Sequence, residues 1–188
     1  MNQKIIFQGK TKKGLPVIIR YPSSDDLSVM HQYINMLSKE QTYIPYQGQE
    51  ITLAEEKKFL DRQLEKIGKN KAVLLLVFSK GKLIGISGID MKDRVSAHEG
   101  VFGISVSKVY RGQGVGNLFM QTVIDEAIRQ LPQLKIITLG VFANNSLAKQ
   151  IYEKFGFIKS GVTPKGILHH GQYVDHIYMY KFVRDISE

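Results

Sequence analysis

The stretch VYRGQGVGNLF, Val109 to Phe119, sets three glycines at alternate positions behind an arginine and then turns apolar. Glycine loses more freedom on folding than any other residue, so a run of them needs a reason. The segment before it, AHEGVFGISVS (Ala97–Ser107), alternates like a strand. Phe102, Ile104 and Val106 share one face, and Gly103, Ser105 and Ser107 leave the other face small. The segment after it spaces Leu118, Phe119, Thr122, Val123 and Ala127 helically from Val115 to Leu131, where Pro132 marks the end. Strand, bare turn and helix start in that order make an anion site. Uncapped N–H groups and the positive end of the helix dipole face the turn, and missing side chains let an anion approach.

Spacing removes two readings of this loop. In G-x-G-x-x-G the third glycine would fall on Asn117 counting from Gly112, or on Phe119 counting from Gly114, so a dinucleotide fingerprint fails. Gly112 is followed five places on by Asn117 rather than glycine, so a P-loop fails as well. What stands is Arg111-Gly112-Gln113-Gly114-Val115-Gly116, a full [QR]-x-x-G-x-[GA] pattern. A glycine turn that merely starts a helix is the alternative on the same residues.

A second block lies downstream. KIITLGVF (135–142) reads as a strand and NSLAKQIYEKF (145–155) as a helix closed by Gly156. Within VFANNSLAKQIYEKFGF, Asn145 and Ala148 form Asn-x-x-Ala, and Tyr152, Gly156 and Phe157 follow. The two blocks, in this order and separated by a helix and a strand, resemble the GNAT N-acetyltransferase superfamily over about Ala72 to Phe182.

The resemblance implies an α/β (α+β) GNAT fold. Its centre is a mixed, mostly antiparallel twisted sheet of about six to seven strands flanked by about four helices. A splayed strand pair would hold acetyl-CoA. The amides of Gly112, Gln113, Gly114, Val115, Gly116 and Asn117, with Arg111 at the head of the motif, would surround the pyrophosphate. Ile104, Ser105 and Val106 would pair with the pantetheine amides, although an ordinary core strand reads the same. Asn145 would touch the pantetheine arm, and it equally suits an N-cap. Tyr152 would protonate the leaving thiolate, since a phenol with pKa near 10 carries its proton at pH 7; packing beside Phe155 is its structural alternative. Attack needs a neutral amine, and Glu99, beside His98, is the candidate base, or else a solvated strand-end residue. With no cysteine in the chain, direct attack on the thioester is the simpler mechanism.

The rest of the chain supports one compact domain over residues 1–188. A hairpin is expected from Lys4–Lys10 and LPVIIRY, and a helix from the spacing of Leu27, Met30, Ile34 and Leu37. Thr52-Leu-Ala-Glu55 fits a capping box that opens a second helix to about Ile67. Strands follow from Ala72 across a Lys-Gly-Lys turn. HHGQYVDHIYMY (169–180) reads as a turn and a long strand. His169, His170 and His176 do not converge there, so no metal is expected. Tyr43 and Tyr46 are candidates to wall an acceptor pocket. Glu50, Glu55, Glu56, Asp61 and Glu65 hint at an amine side, or simply a solvated helix.

The net charge of +9 comes from 26 scattered Lys and Arg residues against 17 acids, without a long basic run. A solvated basic surface that favours a polyanionic ligand is the better reading than nucleic-acid binding. The longest apolar run, AVLLLVF (72–78), is too short to span a bilayer, and the start of the chain lacks a signal core, so a cytoplasmic protein is expected. The expected partners are acetyl-CoA and an amine acceptor, either a small molecule or a peptide, without nucleic acid or membrane; a homodimer is left open. A catalytically inactive acyl-CoA-binding sensor of the same fold is the alternative function.

Overall fold

The structure, a computed structural model, describes residues 4–185; the outermost residues of the expected domain, 1–3 and 186–188, lie outside the described residues. The chain begins with a hairpin, β1 (Ile5–Lys10) and β2 (Pro16–Arg20), followed by α1 (Leu27–Glu40) and α2 (Leu53–Gly68). Three antiparallel strands come next: β3 (Ala72–Ser79), β4 (Lys82–Met91) and β5 (Glu99–Val106). Then α3 (Val115–Gln130), β6 (Ile136–Phe142), α4 (Ser146–Lys154), β7 (Ile158–His169) and β8 (Gln172–Phe182) complete the chain. All eight strands join one sheet in the order β1-β2-β3-β4-β5-β6-β8-β7. Among the described residues only β5 and β6, joined across α3, run parallel.

Local chemistry accounts for the element ends. Thr52 and Glu55 form the expected reciprocal cap at the start of α2. The Glu55 amide donates to Thr52 Oγ1 at 3.2 Å, and the Thr52 amide donates to Glu55 Oε2 at 2.8 Å. The β3–β4 and β7–β8 hairpins turn on Lys80-Gly81 and His170-Gly171, four residues with positive φ. That is the two-residue turn whose twist matches the flanking strands.

The sheet has two unlike faces. On one, Val73, Leu75 and Val77 of β3, Ile137, Leu139 and Val141 of β6, and Ile177 and Met179 of β8 pack against Phe119, Met120, Val123, Ile124 and Ala127 of α3 in the main core. On the other, Leu74 and Leu76 meet Met30 of α1 and Leu60 of α2 in a smaller cluster. The helices α1 and α2 contact β4 and β3, so beyond β5 this second face is largely bare. Val101, Tyr178 and Phe182 are exposed on it.

The strand beyond the expected count is β7. Its sequence, IKSGVTPKGILH, carries a proline and is exposed along most of its length, as suits the last strand of the sheet.

Candidate active site

Strand β5 pairs with β4 over seven consecutive positions, from Gly100↔Met91 to Val106↔Gly85. With β6 it pairs at three only: Glu99↔Ile136, Gly100↔Ile137 and Val101↔Thr138. Past Val101 the parallel strands diverge, which leaves the β6-facing edge of Phe102–Val106 without a strand partner. Buried backbone groups are normally paired, so an open strand edge in the middle of a sheet is a place for a ligand to complete the ladder.

A cleft of about 640 Å³ opens at this divergence, within the range of roughly 300–1,000 Å³ common for ligand sites. Ile104, Ser105 and Val106 line it from β5, and Arg111, Gly112, Gly114, Gly116 and Asn117 from the loop and first turn of α3. Asn144, Asn145, Ala148, Ile151 and Tyr152 close the α4 side, and Thr42, Tyr43 and Ile44 reach in from the α1–α2 loop.

The glycine loop is shaped for an anion. Gly112 and Gly114 have φ of 73° and 80°, a region that favours glycine, and Gly114 forms the N-cap of α3. A Cβ on Gly112 or Gly116 would meet no protein atom within 4 Å, so both leave space that the protein itself does not fill. The first amide that reaches a carbonyl of this helix is that of Leu118, bonded to Gly114 O at 3.4 Å. The amides of Val115, Gly116 and Asn117 therefore have no acceptor within the helix. The loop is anchored from the β1–β2 turn, where Thr11 Oγ1 donates to Gln113 O at 2.8 Å. Lys13 of the same turn lines the cleft and adds a positive charge.

The side chains of the expected residues do not all face the cleft, although for Gln113 and Val115 the expectation rests on their amides. The Val115 side chain is 2% exposed in the core, and Gln113 turns its side-chain amide back to Val109 O at 2.8 Å. The Arg111 guanidinium is held by the protein, donating from Nε to Val106 O at 2.7 Å and pairing through Nη2 with Glu40 Oε2 at 2.6 Å. Asn145 caps α4, its Oδ1 accepting from the Ala148 amide at 3.2 Å while the residue also lines the cleft. Ser105 points to the opposite face, where its hydroxyl bonds the buried Tyr33 hydroxyl at 3.1 Å.

Tyr152 stands on the helical side of the opening. Its ring meets Phe102 edge-on at 6.3 Å and Phe157 at 6.0 Å. The hydroxyl makes no hydrogen bond among the described residues, and burial pushes its pKa up to about 12. The result is a protonated donor in an apolar wall with its hydrogen bond still to give.

Glu99 is not brought together with Tyr152. It begins β5, five residues before Ile104, and pairs with Lys92 Nζ at 2.6 Å, outside the cleft lining. The α2 acids also have structural partners or positions: Glu55 caps its helix, Asp61 pairs with Lys57 and Glu65 with Lys69, while Glu56 is buried against α1 beside His31. Of the two loop tyrosines, Tyr43 lines the cleft and donates to Asn144 O at 3.3 Å, and Tyr46 does not reach it. Residues that the sequence alone did not point to include Thr11, Lys13 and Tyr33. They come from distant segments, and only the tertiary fold gathers them.

An open strand edge continuous with a glycine-started helix defines a cleft suited to an extended ligand that carries an anionic group. The chain belongs to the GNAT family: residues 34–157, about two thirds of it, match the family described as acetyltransferase (GNAT). Over 100 residues it is 34% identical to the L-amino acid N-acetyltransferase AaaT of Escherichia coli K12. That likeness covers 53% of this chain and 61% of AaaT, so it spans less than two thirds of the relative's length. A GNAT-family acetyltransferase from Streptococcus pneumoniae superposes with a TM-score of 0.81 at 27% identity, over 89% of this chain and 99% of that one. The structure of yncA from Salmonella typhimurium with its cofactor acetyl-CoA superposes with a TM-score of 0.78 at 15% identity, over 92% and 96% of the two chains. No helix among the described residues is long and apolar enough to cross a membrane.

Proposed function

We propose that this protein is an N-acetyltransferase that moves the acetyl group of acetyl-CoA to an amine. The observation that carries this reading is the divergence of β5 and β6 directly upstream of the glycine loop, with the unpartnered Tyr152 hydroxyl beside it. The bare edge of Phe102–Val106 suits the amides of a pantetheine arm. The space over Gly112 and Gly116, with the free amides at the start of α3 and Lys13 nearby, suits a pyrophosphate. The name of AaaT makes an L-amino acid the first acceptor class to try.

In this reading the amine attacks the thioester carbon directly. The new C–N bond forms as the C–S bond breaks, and Tyr152 gives its proton to the departing sulfur. Its raised pKa keeps it protonated throughout the physiological range, so the donor is always charged with its proton. The test is release of free thiol from acetyl-CoA with three acceptor types: L-amino acids, a lysine peptide and an alkyl polyamine. Turnover with at least one is expected. Stabilisation by acetyl-CoA without turnover on any acceptor would instead identify an acyl-CoA sensor.

A further inference from the structure

The acetyl-transfer reading above, on which this inference rests, supplies an acid but no base. Strand alternation puts Val101, Gly103 and Ser105 of β5 and Thr138, Gly140 and Phe142 of β6 on the face away from α3 and Tyr152, where Tyr33 of α1 covers Ser105 and the rings of Tyr43 and His169 cover Phe142. On β8, His176 is opposite Phe142 and shares that face. Its ring leans back over Gly140: a Cβ there would clash with His176 Nε2 and lie 2.9 Å from Cε1. Only glycine at 140 admits the imidazole at this place. Gly140 is two residues past Thr138, the last β6 residue paired to β5, so the imidazole stands beside the divergence on the far face of the sheet, outside the residues that line the cleft.

The ring is free for chemistry. It lies against Tyr178 at 4.4 Å with the two rings tilted by 42°, and makes neither a hydrogen bond nor an ion pair with any described residue. The groups around it carry no charge that would fix its state. They are Gly140 and Phe142 of β6, Thr163 of β7, and Tyr178 of β8, whose hydroxyl accepts from Thr163 at 3.3 Å. Neighbouring Asp175 is engaged by the Lys165 amide at 2.9 Å.

We propose that His176 is the base that takes the proton from the acceptor amine, which enters from the bare face of the sheet. An ammonium that approaches over Gly140 first gives a proton to the imidazole, directly or through one water, and becomes a nucleophile, and the imidazolium passes that proton to solvent before the next transfer. The amine nitrogen then bonds the acetyl carbon, its surplus proton leaves for solvent through His176, and the sulfur takes the Tyr152 proton. The phenolate regains a proton from solvent, which leaves an amide, a thiol and one released proton. Partial burial holds the His176 pKa below the usual imidazole value, so the ring is neutral and able to accept at pH 7. Acid and base thus stand on opposite faces of the sheet with the thioester between them.

The test uses His176→Gln and Gly140→Ala with the most reactive acceptor of the panel, reading kcat/KM against pH and the thermal shift given by acetyl-CoA. For H176Q a loss of about 100-fold or more is expected, together with loss of the acidic limb of the profile and an unchanged acetyl-CoA shift. G140A should lose activity in the same direction by displacing the ring while the histidine is still present. An H176Q rate within about threefold of wild type, with the acidic limb intact, would overturn the proposal. So would loss of the acetyl-CoA shift in both variants, which would make the residue structural. A wild-type protein that binds acetyl-CoA and turns over no amine would overturn the acetyl-transfer reading itself.

Discussion

The two edges of β5 belong to one run of residues and do opposite things. Toward β4 the ladder closes at seven positions, and the contacts are so tight that a Cβ on Gly85 of β4 would lie 2.8 Å from Ser105 O of β5. Toward β6 only three positions pair, and the glycines that follow, Gly112 and Gly116, face space that holds no protein atom. Glycine on the closed side permits the backbone to pack; glycine on the open side keeps room for something that is not protein. The lesson is that a glycine's meaning lies in what its missing side chain would strike.

That contrast can be attacked by substitution. Tyr152→Phe should have the largest effect, a fall in kcat of about 100-fold or more with acetyl-CoA binding retained, because only a donated proton is lost; steady-state kinetics beside calorimetric binding check this. Gly85→Ala should lower stability by about 1–3 kcal/mol through the clash with the β5 backbone, seen as a drop in denaturant midpoint. Gly116→Val should do the reverse, leaving the midpoint within about 0.5 kcal/mol but weakening acetyl-CoA binding by about tenfold or more, or about 1.4 kcal/mol. Asn145→Ala should cost about 1 kcal/mol of stability by removing the cap on α4, with a further loss of binding if the same amide also meets the pantetheine arm.

Much of the open edge was legible in the sequence because its devices are local. The loop Arg111–Gly116, the helix that follows and the Asn145-to-Phe157 block each depend on residues a few positions apart, and each stands where the spacing placed it. The capping box at Thr52 and the two Lys-Gly and His-Gly turns were readable for the same reason. What could not be read was long-range or patternless. Thr11 supports Gln113 from 102 residues away. Edge strand β7 buries too little to impose an alternation of apolar residues. Glu99 had the right chemistry and the right strand, but at the end where β5 and β6 are still paired. His176 looked like one of three scattered histidines until the register of β6 and β8 set it over Gly140.

The central claim is that acetyl-CoA completes the ladder along the unpaired edge of β5. Amide hydrogen exchange with and without acetyl-CoA measures that edge directly. The account predicts slowed exchange within residues 102–106 and 112–117, while residues 85–91, already paired on the closed side, change little. Protection absent from 102–106, or confined to another part of the molecule, would contradict it.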